Sequence, residues 1–192
     1  MTFDVRKRAA VHEAAHAVAT KAYGSLIHLA EICVDNPEWC GRVCHEVWGA
    51  WENVVVCLAG AQGELAFFNN EWGSGHDLEC AKRLARKVDP DYRGEVIQSA
   101  RTAAAKIVRD NRTVISVLAV VLEHKGKLSD VEIDGVIGSI SGTIRPGPSA
   151  PDMTPLGRAQ RDATRRRARR DYEGAAFIER WIRQQEHQSS LL

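Results

Sequence analysis

V-H-E-A-A-H-A, Val11 to Ala17, is the stretch that decides how the chain is read. His12 and His16 are four residues apart, with Glu13 between them. On a helix, side chains at i and i+4 share one face, one turn apart. Two imidazoles at that spacing suit one zinc ion (Zn2+), and Glu13 is placed to reach the water that the metal holds. The surroundings read as helix: Asp4 is an N-cap candidate, Arg6 to Ala22 contains no Gly or Pro, and Gly24 is a natural stop. The competing reading is a surface helix with two histidines and a solvated glutamate. The two readings part over a third ligand, because a hydrolytic zinc site takes three protein ligands and keeps one position open.

Working outward, Leu26 to Val34 has strand character and Asp35-Asn36-Pro37 closes it as a turn. Arg42 to Val47 is a second short strand candidate. Cys40, Cys44 and His45 form a local group, but it lacks a C-x-x-C pair and a distant partner pair, so buried or half-buried thiols are the better reading than a structural zinc. Ala50 to Phe68 is an apolar helix with Gly60 and Gly63 inside it. Interior glycines cost about 1 kcal/mol each relative to Ala, so close approach of another helix is expected there, the first helix being the obvious partner. Glu64 on this helix is either exposed or paired, and orienting a zinc-bound imidazole is one use for it.

After the loop Asn69 to Gly75, Asp77 opens a helix that runs to about Val88. It suits a first-turn acid and equally the missing third ligand, with His76 as a rival at the preceding position. Two further helices follow, Arg93 to Asn111 and Thr113 to His124, the second closed by Gly126. Ser129 and Glu132 resemble a capping box for a last short helix. The expected fold is therefore mainly α (α+β), a helical domain with a small β-sheet over residues 1–141. A Pro/Gly linker over 142–157 and a basic, partly amphipathic tail over 158–192 follow it. Arg158 to Arg170 holds seven arginines and one acid, and Phe177, Ile178, Trp181 and Ile182 make an apolar stripe. A solvated basic tail is the plain reading; contact with nucleic acid or an anionic surface, or docking on another subunit of a homo-oligomer, are the sharper ones.

The 192 residues carry a formal net charge of +1, so no strong global field is expected. The longest apolar stretch, Val114 to Leu122, is too short to span a bilayer, and the N-terminus lacks the apolar region of a secretory signal. Five irregularly spaced cysteines argue against a disulfide framework and for a reducing, cytoplasmic setting.

The order of these motifs resembles the peptidase domain of the FtsH-type ATP-dependent zinc metalloproteases, over about Val5 to Ile140. The matching pieces are His12 to His16, Ile32 to Pro37, Leu58-Ala59-Gly60 with Glu64, and Gly73 to Leu78. The resemblance implies a zincin-like helical domain, zinc held by His12, His16 and Asp77, and Glu13 as the general base. Ala15 stands where that family usually has Gly, and the chain has no G-x-x-x-x-G-K-[ST] sequence. A freestanding peptidase domain without its ATPase is therefore expected, acting on peptides or unfolded segments, or supplied by a partner unfoldase. Its substrate is expected to extend along Ile32, Cys33 and Val34. His28, His45 and His76 are candidates for oxyanion stabilisation. The rival functions are a catalytically silent zinc-binding module and an adaptor acting through the basic tail.

Overall fold

The computed structural model describes residues 5–33, 40–47, 49–72, 74–140, 143–152, 154–168, 176, 178–180 and 182–183. The chain is mainly helical with one small antiparallel sheet. Helix α1 (Val5–Ala22) is the axis of the core: every residue from Arg8 to Thr20 is buried. A helix enclosed on all sides needs small side chains so that neighbours can approach, and alanines at 9, 10, 14, 15, 17 and 19 supply them. The strands β1 (Leu26–Ile32) and β2 (Gly41–Glu46) and the helix α2 (Ala50–Phe68) pack against α1. A Cβ at Gly63 would lie 2.7 Å from the Ala15 Cβ, so the α1–α2 crossing is as close as the glycine spacing predicts.

Helix α3 (Gly75–Val88) lies on α2, α4 (Arg93–Asp110) on α2 and α3, and α5 (Arg112–Lys125) on α1. Gly126 ends α5 at φ +79, and its carbonyl accepts the Ile32 N–H at 2.8 Å. The chain thus enters β3 (Lys127–Ser129) directly, a strand the sequence reading lacks. The sheet order is β2-β1-β3, with β1 in the middle. The register shifts between Ile27 and Leu29, making His28 the extra residue of a bulge. The bulge resets the alternation: Ile27 is buried before it, Ala30 and Ile32 after it. Helix α6 (Asp130–Ser139) starts on the expected capping box, Ser129 and Glu132 each serving the other's backbone N–H.

The linker expected over 142–157 divides. Met1–Ser149 forms one compact unit and Ala150–Leu192 a second. Within the first, the buried Asn111 accepts the Arg145 N–H at 2.8 Å, Gly147 donates to the Ala22 carbonyl at 2.8 Å, and Tyr23 donates to the Pro148 carbonyl at 3.1 Å. Prolines there fix an extended strap on the core, not a free spacer. In the second unit, α7 (Pro155–Ala168) begins with proline at the first helical position, where its missing N–H costs nothing. Arg167 pairs with Glu179 at 2.6 Å. Asp4, Val34 to Pro37, Phe177 and Trp181 lie outside the described residues. No described helix is long and apolar enough to cross a membrane.

Candidate metal centre

His12 and His16 project from α1 towards α2, with ring centroids 4.7 Å apart. Each ring is pinned through Nδ1. His16 Nδ1 lies 2.7 Å from the Val56 carbonyl, which can only accept, so this nitrogen carries the proton and Nε2 keeps its lone pair. His12 Nδ1 lies 2.6 Å from Glu64 Oε1 and donates to it in the same way. Both lone pairs therefore face one point, which Asp77 reaches from the first turn of α3. Asp77 Oδ2 is 2.9 Å from His12 Nε2 and 3.4 Å from His16 Nε2. Two ligands at 2.0–2.1 Å from a tetrahedral zinc stand roughly 3.3 Å apart. Among the described residues this is the one group of three whose ligand atoms converge, all within 4.8 Å. Cys40, Cys44 and His45 form no such group, and the rival ligand His76 instead sits 3.5 Å from Cys80 Sγ.

The space at the convergence point is kept open by Gly60. A Cβ there would lie 2.5 Å from His16 Nε2 and closer still to His12 Nε2. The charge also fits a divalent cation. Glu13, Glu64 and Asp77 line one cavity; Arg8 brings a positive charge at 3.9 Å from Glu64 Oε2, and Arg42, also in the lining, is paired with Glu31. Something positive must sit between His12 Nε2 and Asp77. As a proton it makes His12 an imidazolium: burial opposes that charge, but hydrogen bonds to Asp77 and Glu64 outweigh it and raise the pKa to about 10. Burial alone would raise Asp77, but its bonds to the two histidines hold it well below the usual carboxylate range. A metal ion can replace that proton with the same geometry.

Glu64 is 1% exposed, so its charge calls for protein partners. Besides His12 it accepts the Trp72 backbone N–H through Oε2. Arg8, stacked over Phe68 at 4.6 Å and bonded to Asn70 at 2.5 Å, faces the same oxygen. Arg8 is a site residue the sequence reading missed. Its signal was present: an arginine one turn before His12, followed by the apolar Ala9-Ala10-Val11. Glu13 is buried beside the ligands and faces β2, where a Gly41 Cβ would fall 2.6 Å from its Oε1. Burial raises the Glu13 pKa, against the pull of His16 and His12.

A cavity of about 520 Å³ opens on these groups, with β2 forming one wall. Of the expected substrate strand, Ile32 ends β1, the middle strand of the sheet, and Cys33 follows it. Residues of β1 pair with β2 on one side and with β3 on the other, Ile32 N–H is taken by Gly126, and Cys33 N–H donates to the Cys40 carbonyl at 2.9 Å. The N–H groups of Ile32 and Cys33 are thus both taken. Of the sheet's two edge strands, β2 and β3, the one that borders the cavity is β2. No protein-family model matches the chain, and no curated protein matches it in sequence.

Proposed function

We propose that this chain is a zinc-dependent metallopeptidase that hydrolyses peptide bonds in flexible or unfolded polypeptides. The observation that carries the reading is the convergence of His12 Nε2, His16 Nε2 and Asp77 Oδ2 beside the buried Glu13, with both imidazoles locked from behind. The motif order shared with FtsH-type peptidase domains supports it. His12, His16 and Asp77 would hold the zinc, which when bound supplies Lewis acidity to the scissile carbonyl and acidifies water. Glu13 takes a proton from the attacking water as its oxygen bonds to the carbonyl carbon. The same carboxyl then delivers that proton to the amine nitrogen as the C–N bond breaks. Its buried setting raises its basicity towards the working range of a general base. Glu64 and the Val56 carbonyl hold the two rings in the ligating tautomer. The edge of β2 offers backbone groups to an extended substrate, a mode that selects unfolded segments over folded domains.

The test is metal content and peptide turnover measured together on the wild type and on Glu13→Gln. About one zinc per chain in both, with turnover in the wild type alone, is the expected result. Zinc in both with equal turnover would remove Glu13 from the chemistry. Zinc in both with no turnover in either would favour a silent zinc-binding module, and no zinc in either would defeat the metal assignment.

A further inference from the structure

Peptide hydrolysis places negative charge on the carbonyl oxygen, and a donor fixed where that charge develops contributes strongly to catalysis. Three histidines outside the ligand pair could serve, and the structure separates them. His28 lies 3.0 Å from Glu46 Oε1 on the exposed side of the sheet, away from the cavity. His76 lines the cavity, but its Nε2 faces Cys80. His45 lines it together with Glu13 and His16. Strand alternation puts His45 on the same face of β2 as Gly41, the residue that abuts the Glu13 side chain.

His45 Nδ1 is sealed from solvent and has no hydrogen-bond partner among the described residues. A buried orphan N–H is rarer than an orphan acceptor, so the single ring proton belongs on Nε2. With Nδ1 sealed, the Nε2 edge is what the ring presents to the cavity. Burial lowers the pKa of His45. Among the described residues no hydrogen bond is made by this imidazole. We propose that His45 is a catalytic residue whose Nε2–H donates to the scissile carbonyl oxygen as charge builds on it, an inference that rests on the peptidase reading.

The experiment compares zinc-loaded wild type with His45→Phe, which has no donor, and His45→Gln, which keeps an N–H. Turnover of a quenched-fluorescence peptide is measured beside binding of a peptide phosphonamidate, whose tetrahedral phosphoryl group mimics the charged oxygen. His45→Phe is expected to lose about 100-fold in kcat with KM nearly unchanged, and a similar factor in phosphonamidate affinity, at unchanged zinc content. His45→Gln should recover part of both. Wild-type kcat and phosphonamidate affinity in His45→Phe would overturn the inference, as would a loss confined to KM or a loss of zinc in both variants. Zinc-loaded wild type that neither cleaves peptides nor binds the phosphonamidate would defeat the peptidase reading and this inference with it. Turnover in the wild type that His45→Phe leaves intact defeats the inference alone.

Discussion

Gly60→Ala sets two physical effects against each other. In a helix interior, Ala is favoured over Gly by about 1 kcal/mol, so the substitution should help α2 to form. The new Cβ, however, would lie 2.5 Å from His16 Nε2 and nearer to His12 Nε2, where ordinary contact begins at 3.4 Å. Each imidazole must retreat by about 0.9 Å or more, several times the roughly 0.2 Å tolerance of a metal–ligand bond. Both rings are also bonded from behind, to Val56 and Glu64, which leaves little room for retreat. Removing a partner behind one ligand costs about 10–100-fold in metal affinity. Displacing two ligands should cost more than about 100-fold. Zinc titration against a competing chelator measures this, with circular dichroism to confirm that the variant is folded. Gly63→Ala is the control. Its Cβ meets Ala15, not the ligands, so overpacking of about 1–3 kcal/mol should lower Tm while the folded protein binds zinc as before. Wild-type zinc affinity in Gly60→Ala would refute the position of the metal.

Gly41→Ala should leave zinc in place and cut turnover by about 100-fold, because its Cβ displaces the Glu13 carboxylate and misplacement near 1 Å is costly to catalysis; kcat and metal content measured together check it. Glu64→Gln replaces the charged acceptor behind His12 with a neutral amide, and calorimetric titration should find zinc bound about 10–100-fold more weakly. Glu132 is held low, at about 2, first by the hydrogen bond from Lys125 and then by the Ser129 backbone N–H. A carboxyl depressed in the folded state stabilises above its ordinary pKa of 4.5 and loses that contribution as pH falls towards 2. Amide exchange in the first turn of α6 should therefore quicken across that window, and Glu132→Gln should abolish the pH dependence.

What was legible in the sequence followed from local rules. The bounds of α2, the stop at Gly126 and the capping box at Ser129 are set by residues within a turn of the event, and the structure repeats them. The small-residue match of Gly63 with Ala15 was half legible: the glycine spacing announced a close helix, and only packing could say which residue met it. β3 was hidden because Lys127-Leu128-Ser129 is too short to carry a period, and it exists only because β1 has a free edge beside it. That same pairing makes β1, which carries Ile32 of the expected substrate strand, the middle strand. Sheet order is a non-local property, and β1 looked like the available strand until β3 closed it. The linker misled for a related reason, since proline content marks an extended chain but not whether Asn111 and Tyr23 hold it.

The burial of α1 poses an electrostatic problem that explains why these residues occur together. Arg8, His12, Glu13 and His16 are all under 9% exposed, and buried ionisable groups are costly unless compensated. Glu64 and Asp77 answer them from two other helices, which leaves three carboxyl groups facing the Arg8 guanidinium, while Arg42, which also lines the cavity, is paired with Glu31. Two positive charges are needed to close the balance. Protons can supply them: one on His12 Nε2, and one on Glu13, whose pKa burial raises. A divalent cation at the convergence of the Nε2 atoms and Asp77 supplies the same charge and frees both groups. His12 then returns to a neutral ligand and Glu13 to a carboxylate. In the proposed peptidase, the state that holds the metal would thus also be the state in which Glu13 is ionised, so one charge balance would couple metal binding to readiness for proton transfer.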